Sequence, residues 1–187
     1  MYYPNTPYHV YNHSNNREIV FKDDKDYRDF EARIIKHLIP VSDILCYCLI
    51  PTHFHILLLP KSTIFHQTDK QQSIPKALRV LLSSYTQRIN KRYERRGSLF
   101  RAKTKYKPGY EGFIPEEWEL KEERPFSQFV PYLGTCFRYI HRNPVAAGLV
   151  EHPTEWEYSS ALDYASVRDN GVCSYEVVKR LLGIRRL

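Results

Sequence analysis

Two apolar strands set back to back restrict the fold more than any other feature of this sequence. Residues 42–50, SDILCYCLI, and 53–59, HFHILLL, are separated only by Pro51 and Thr52. A parallel pair would need a crossover of a dozen or more residues, so these two strands must form a tight antiparallel hairpin. Beyond the turn both are apolar at almost every position rather than at every second one. That predicts a place at the centre of a sheet covered on both faces. A turn at 51–52 also fixes the register: Ile50 falls opposite His53, Cys48 opposite His55 and Cys46 beside Leu57.

The flanking segments supply the rest of an α+β domain. Residues 8–13, YHVYNH, alternate polar and apolar and predict a first strand. Tyr27, Phe30, Ile34 and Leu38 recur at helical spacing over 26–39, where Pro40 stops the helix. Residues 61–73 form a polar loop. A long helix over 74–95 follows, with a core face of Leu78, Leu81, Tyr85, Ile89 and Tyr93 and an end at Gly97. Residues 98–107 predict another strand. The acidic segment 108–125, rich in Pro and Gly, has the character of an inserted loop. A helix is expected over 127–142 with Pro144 as its stop. The remainder should pack back on the domain, with a short basic tail at 166–187. The whole, residues 1–187, reads as one domain: a central antiparallel sheet of about four to five strands with helices packed on it.

A net charge of +7 in 187 residues favours a polyanionic partner but also serves solubility. The 15 tyrosines could stack on unpaired bases, though most should fill the core. Cys46, Cys48, Cys136 and Cys173 are too few and too scattered for a disulfide framework, which points to a reducing, cytoplasmic compartment. The sequence contains no signal-peptide pattern and no apolar run that could span a membrane.

His53 and His55 are two apart on one strand, so both rings point to one face and can converge on a divalent ion. With 8 histidines in the chain, such a pair alone is unspecific. An imidazole must be neutral to bind metal, so affinity is expected to fall below about pH 6.5. Cys46 and Cys48 offer a rival, a structural zinc site with both histidines, but the hairpin register sets Cys46 away from His53. Tyr139 and Asn143 share one face of the late helix. If that face covers the histidines, Asn143 supplies a third ligand and Tyr139 can reach a bound phosphate as a nucleophile. Otherwise Tyr139 is an ordinary core aromatic. Arg138 and Arg142 flank the pair. Arg79, Arg88, Lys91, Arg92, Arg95 and Arg96 line the long helix, and Arg101 follows it, all candidates for DNA phosphates.

Four segments together, YHVYNHSNNREIVF, LIPTHFHILLLP, SSYTQRINKRYERRGSLFR and YIHRNPVAAGLVEHPTEWEYSS, resemble the single-tyrosine His-hydrophobe-His (HUH) transposases, in their REP-associated tyrosine transposase branch. The resemblance covers roughly residues 8–165. It implies a ferredoxin-like HUH nuclease architecture whose central antiparallel sheet bears the histidine pair. It implies Mg²⁺ or Mn²⁺ held by His53, His55 and Asn143, with Tyr139 as nucleophile. The implied reaction cuts and rejoins single-stranded DNA near a hairpin, leaving a 5′-phosphotyrosine and a free 3′-OH, in a monomer or homodimer. The chain departs from the family at His13-Ser14-Asn15, where Arg-Gly-Asn is common, and in the length of 108–125.

Overall fold

A computed structural model describes residues 6–61, 73–108 and 132–186. Most of the acidic segment, most of the polar loop and the expected start of the helix at 127 lie outside the described residues. The described elements are β1 (Tyr8–His13), α1 (Asp24–Arg33), β2 (Ser42–Ile50), β3 (His53–Pro60), α2 (Ile74–Arg92), β4 (Lys105–Pro108), α3 (Tyr132–Ala146), α4 (Ala161–Tyr164) and α5 (Tyr175–Leu182). The four strands form one antiparallel sheet in the order β2-β3-β1-β4. With the element order β1-α1-β2-β3-α2-β4, this is the ferredoxin-like split βαβ topology.

The hairpin register is the expected one, Ile50 opposite His53, Cys48 opposite His55 and Cys46 opposite Leu57. Pro-Thr is an uncommon hairpin turn, and the connection after β1 braces it. Ser14 N–H donates to the Thr52 carbonyl at 2.8 Å and Val20 N–H to that of Pro51 at 2.7 Å. One expectation fails. β3 is central, but β2 is the outermost strand of the ladder. It is apolar on both faces because α3 packs on one and the Ile34–Leu38 turn on the other, while the C-terminal segment covers its open edge: Leu49 N–H donates to the Tyr158 carbonyl, Ser160 N–H to that of Tyr47, and Ser174 N–H to that of Ile44.

Local chemistry sets the helix limits. Asp23 caps α1, its carboxylate accepting the Asp26 N–H at 3.2 Å. The helix then widens into one i→i+5 turn over Ile34–Leu38, so all four expected core positions stay buried. Ser73 caps α2, which stops at Arg92, short of Gly97. The strand expected over 98–107 shrinks to Lys105–Pro108. Before it only an isolated bridge of Ser14 with Phe100 remains, and asparagine amides reinforce it, Asn15 donating to the carbonyls of Ser98 and Phe100 and Asn12 to that of Arg101. Pro144 does not end α3, which runs on to Ala146. So near the terminus, proline removes only the bond to the Ile140 carbonyl, and Gly148 at φ 67° closes the helix.

The helices cover the two sheet faces unequally. α1 and α2 pack on one face, where Phe30 lies 5.2 Å from Phe54 and 5.0 Å from Tyr85, ring centre to ring centre. α3 lies on the other face, over β2 and β3. Its buried stripe of Leu133, Cys136, Phe137 and Ile140 makes that contact. On this second face β1 and β4 present His9, Tyr11, His13, Lys105 and Lys107, while β3 presents His53 and His55.

Candidate functional site

Strand alternation and register assemble a histidine cluster on the α3 face. His13 lies directly opposite His53 and Tyr11 opposite His55. The His53 and His55 rings are 5.1 Å apart and nearly perpendicular, and His13 and His53 are 4.3 Å apart. Each motif histidine has its Nδ1 held by a neighbour. Nδ1 of His53 lies 3.0 Å from the Thr52 hydroxyl, and Nδ1 of His55 lies 2.8 Å from Nε2 of His9. Nε2 is therefore the nitrogen that His55 has left to offer, and in His53 the ring also engages Asn143.

α3 brings the other two candidates to the same place, in the same chain. The Asn143 side chain is hydrogen-bonded to His53. One turn earlier, Tyr139 stands edge-on to His55 at 5.6 Å and to His9 at 6.0 Å. The neighbouring His141 points elsewhere, its Nε2 2.7 Å from the Ser160 hydroxyl.

His53, His55 and His9 are held neutral over most of the pH range. Burial first, then the charge of His13, holds His53 down to about 4, with its bond to Asn143 pulling the other way. Burial, followed by its three histidine neighbours, holds His55 well below its ordinary value. Burial and then Lys107 bring His9 to about 3. The fall in metal affinity expected below about pH 6.5 therefore moves to lower pH, because the folded chain already keeps these rings unprotonated.

The donor set suits a divalent ion bound with open positions. Among the described residues, no three His, Cys, Asp or Glu side chains are arranged to hold a metal. Two imidazoles and one amide oxygen are what His53, His55 and Asn143 can give, leaving room for a substrate oxygen. Cys46 sits opposite Leu57 rather than beside His53, as the hairpin register implied. All four cysteines are buried free thiols.

The basic candidates divide by location. Arg88 and Arg92 of α2 are engaged by α1: both reach the fully buried Asp26, at 3.0 and 2.6 Å, and Arg92 also pairs with Asp23. Arg95 pairs with Glu18 at 2.7 Å. Lys91 and Arg96 are exposed. Arg79 and Arg101 line a cleft of about 660 Å³ with Leu78, Phe100 and Tyr106. Tyr106 pairs with Val10, on the sheet face away from the histidines. Arg138 is exposed and Arg142 half-buried, both on α3 beside Tyr139. Sequence reasoning missed His9, Tyr11, His13, Lys105 and Lys107. The alternation of YHVYNH carries the signal for the first three, but only the β1–β3 register shows what they face.

A solved structure of a REP-associated tyrosine transposase bound to a REP hairpin has the same fold. The match has a TM-score of 0.61 at 14% identity and covers 93% of this chain and 94% of that one. No family model matches the sequence, and no curated protein matches it. Among the described residues, no helix is long and apolar enough to cross a membrane.

Proposed function

We propose that this fold and cluster serve a transposase-type nuclease and strand transferase acting on single-stranded, hairpin-associated DNA. One observation carries the reading: Tyr139 stands against His55, and Asn143 against His53, within one chain. The fold shared with a transposase bound to a DNA hairpin and the net charge of +7 support a DNA partner.

In this reading His53, His55 and Asn143 hold Mg²⁺ or Mn²⁺, which as a Lewis acid would polarise the phosphoryl oxygen. The Tyr139 oxygen attacks the phosphorus, an O–P bond forms, and the bond to the 3′-oxygen breaks. The DNA 5′ end stays on the tyrosine and the other end leaves as a 3′-OH. The same step run backwards joins strands. Arg138 and Arg142 sit where they can steady the phosphates. One chain holds the whole set, so the reading requires no exchange of α3 in a homodimer and works equally in a monomer.

The test is a denaturing-gel search for a covalent protein–DNA adduct, using single-stranded hairpin DNA and Mn²⁺. The wild type should form it and Tyr139→Phe should not, with DNA binding nearly unchanged in the variant. Binding without any adduct would leave a DNA-hairpin-binding module in place of an enzyme.

A further inference from the structure

His9 has no part in the mechanism above, yet it is almost wholly buried beside one of the proposed ligands. It sits two residues before Tyr11 on β1, diagonal to His55 across the strand pair. Cross-strand diagonal neighbours are within reach of long or aromatic side chains. The two rings lie 5.0 Å apart, and Nε2 of His9 is 2.8 Å from Nδ1 of His55. The other nitrogen of His9, Nδ1, is buried and has no hydrogen-bond partner among the described residues.

A bond between two neutral imidazoles holds a single hydrogen, so the tautomer of one ring dictates that of the other. Two arrangements exist. In the first, His9 Nε2–H donates to His55 Nδ1, and His55 carries its own hydrogen on Nε2. Only a bare lone pair is then left on the orphan nitrogen, which is easier to bury than an unpaired N–H. In the second, His55 Nδ1–H donates to His9 Nε2, the Nε2 lone pair of His55 is available, and His9 carries its hydrogen on Nδ1. Both arrangements hold two hydrogens on two rings, so passing from one to the other takes up and releases no proton.

We infer that His9 is a positioning residue for His55, and that the pair changes tautomer together when a divalent cation binds. The metal-free chain holds the first arrangement and cation binding selects the second. The orphan nitrogen of His9 is where the displaced hydrogen goes. Outer partners of this kind typically change metal affinity by about 10- to 100-fold. This inference rests on the proposed roles of His53, His55 and Asn143.

The experiment measures Mn²⁺ affinity by calorimetry on the full chain and on His9→Phe and His9→Gln. A glutamine amide can turn to donate or accept, whereas phenylalanine can do neither. His9→Phe should bind Mn²⁺ at least about tenfold more weakly, and His9→Gln should stay close to the wild type. Imidazole ¹⁵N spectra of the wild type supply a readout that needs no variant. They should place the His9 hydrogen on Nε2 in the metal-free chain and on Nδ1 after saturation with Zn²⁺ as a diamagnetic probe. Wild-type affinity in His9→Phe, or a His9 hydrogen that stays on one nitrogen throughout, overturns the inference while the metal site stands. A wild type that binds neither ion overturns both readings.

Discussion

His141 offers a clean test of how the burial of α3 is coupled to pH. Its Nε2 lies 2.7 Å from the Ser160 hydroxyl. That hydroxyl donates to the Tyr47 carbonyl and accepts the Tyr47 N–H, so it accepts from His141 in turn. The ring packs against Phe137 and Tyr164 at 4.4 and 5.7 Å. Burial alone lowers its pKa from 6.5 to about 3. Between these values the unfolded chain binds one proton more than the folded chain, so stability rises with pH across the window. The contribution is complete above about 6.5 and is lost as pH falls toward 3, at about 1.4 kcal/mol per pH unit. From pH 7 to pH 5 the loss is about 2 kcal/mol. Urea unfolding of the wild type and His141→Gln at pH 7, 6 and 5 measures it. Glutamine keeps a donor for Ser160 and does not titrate, and the other buried histidines cancel in the difference. The stability gap between the two proteins should shift by about 2 kcal/mol in favour of the variant on going to pH 5. A gap that is the same at all three pH values would refute the reasoning.

Asp26 is fully buried and receives Arg88, Arg92, the Tyr93 hydroxyl and the Lys22 N–H. Asp26→Ala should lower the unfolding free energy by about 3 kcal/mol in urea; a loss below about 1 kcal/mol would mean that the network is dispensable. Mn²⁺ affinity should be nearly equal at pH 8 and pH 5.5, because the folded chain keeps His53 neutral down to about 4. A steady loss beginning near 6.5 in calorimetric titrations would contradict ligation by rings so deeply buried. Arg88→Ala and Arg92→Ala should lower stability with little effect on the salt dependence of DNA binding. Arg138→Ala should reduce the log–log salt slope by about one. Filter-binding curves showing the reverse assignment would move the DNA to the α2 side of the sheet.

What could be read in the sequence was what neighbouring residues decide. The alternation of YHVYNH gave β1 to the residue, and the position of Pro51-Thr52 gave the hairpin register that pairs Cys48 with His55. The stripe of Leu78, Leu81, Tyr85 and Ile89 is the buried face of α2. The errors came from long-range geometry. A strand buried on both faces reads the same whether a sixth of the chain or another strand covers its edge, so β2 passed for central. Tyr139 and Asn143 could be grouped by helical spacing, but only tertiary packing brings them to the histidines. The basic face of α2 read as a phosphate surface because the carboxylates that engage Arg88 and Arg92 lie more than sixty residues earlier. The spacing of His9 and His13 does not group them with the site for the same reason, since their partners are on a strand forty or more residues away.

The covered edge of β2 has a consequence for how the molecule is made. Strand β2 leaves the ribosome more than a hundred residues before Tyr158, Ser160 and Ser174, which bond to its Leu49, Tyr47 and Ile44. Until they arrive, a strand with no charge between Ile44 and Ile50 offers unpaired amides and carbonyls to any extended chain nearby. The nascent protein is therefore expected to pass through a self-adhesive stage before its C-terminal segment is made. Truncation before residue 156 would make that stage permanent, so a shortened variant is expected to be found in the insoluble fraction even though every residue of the histidine cluster is still in it.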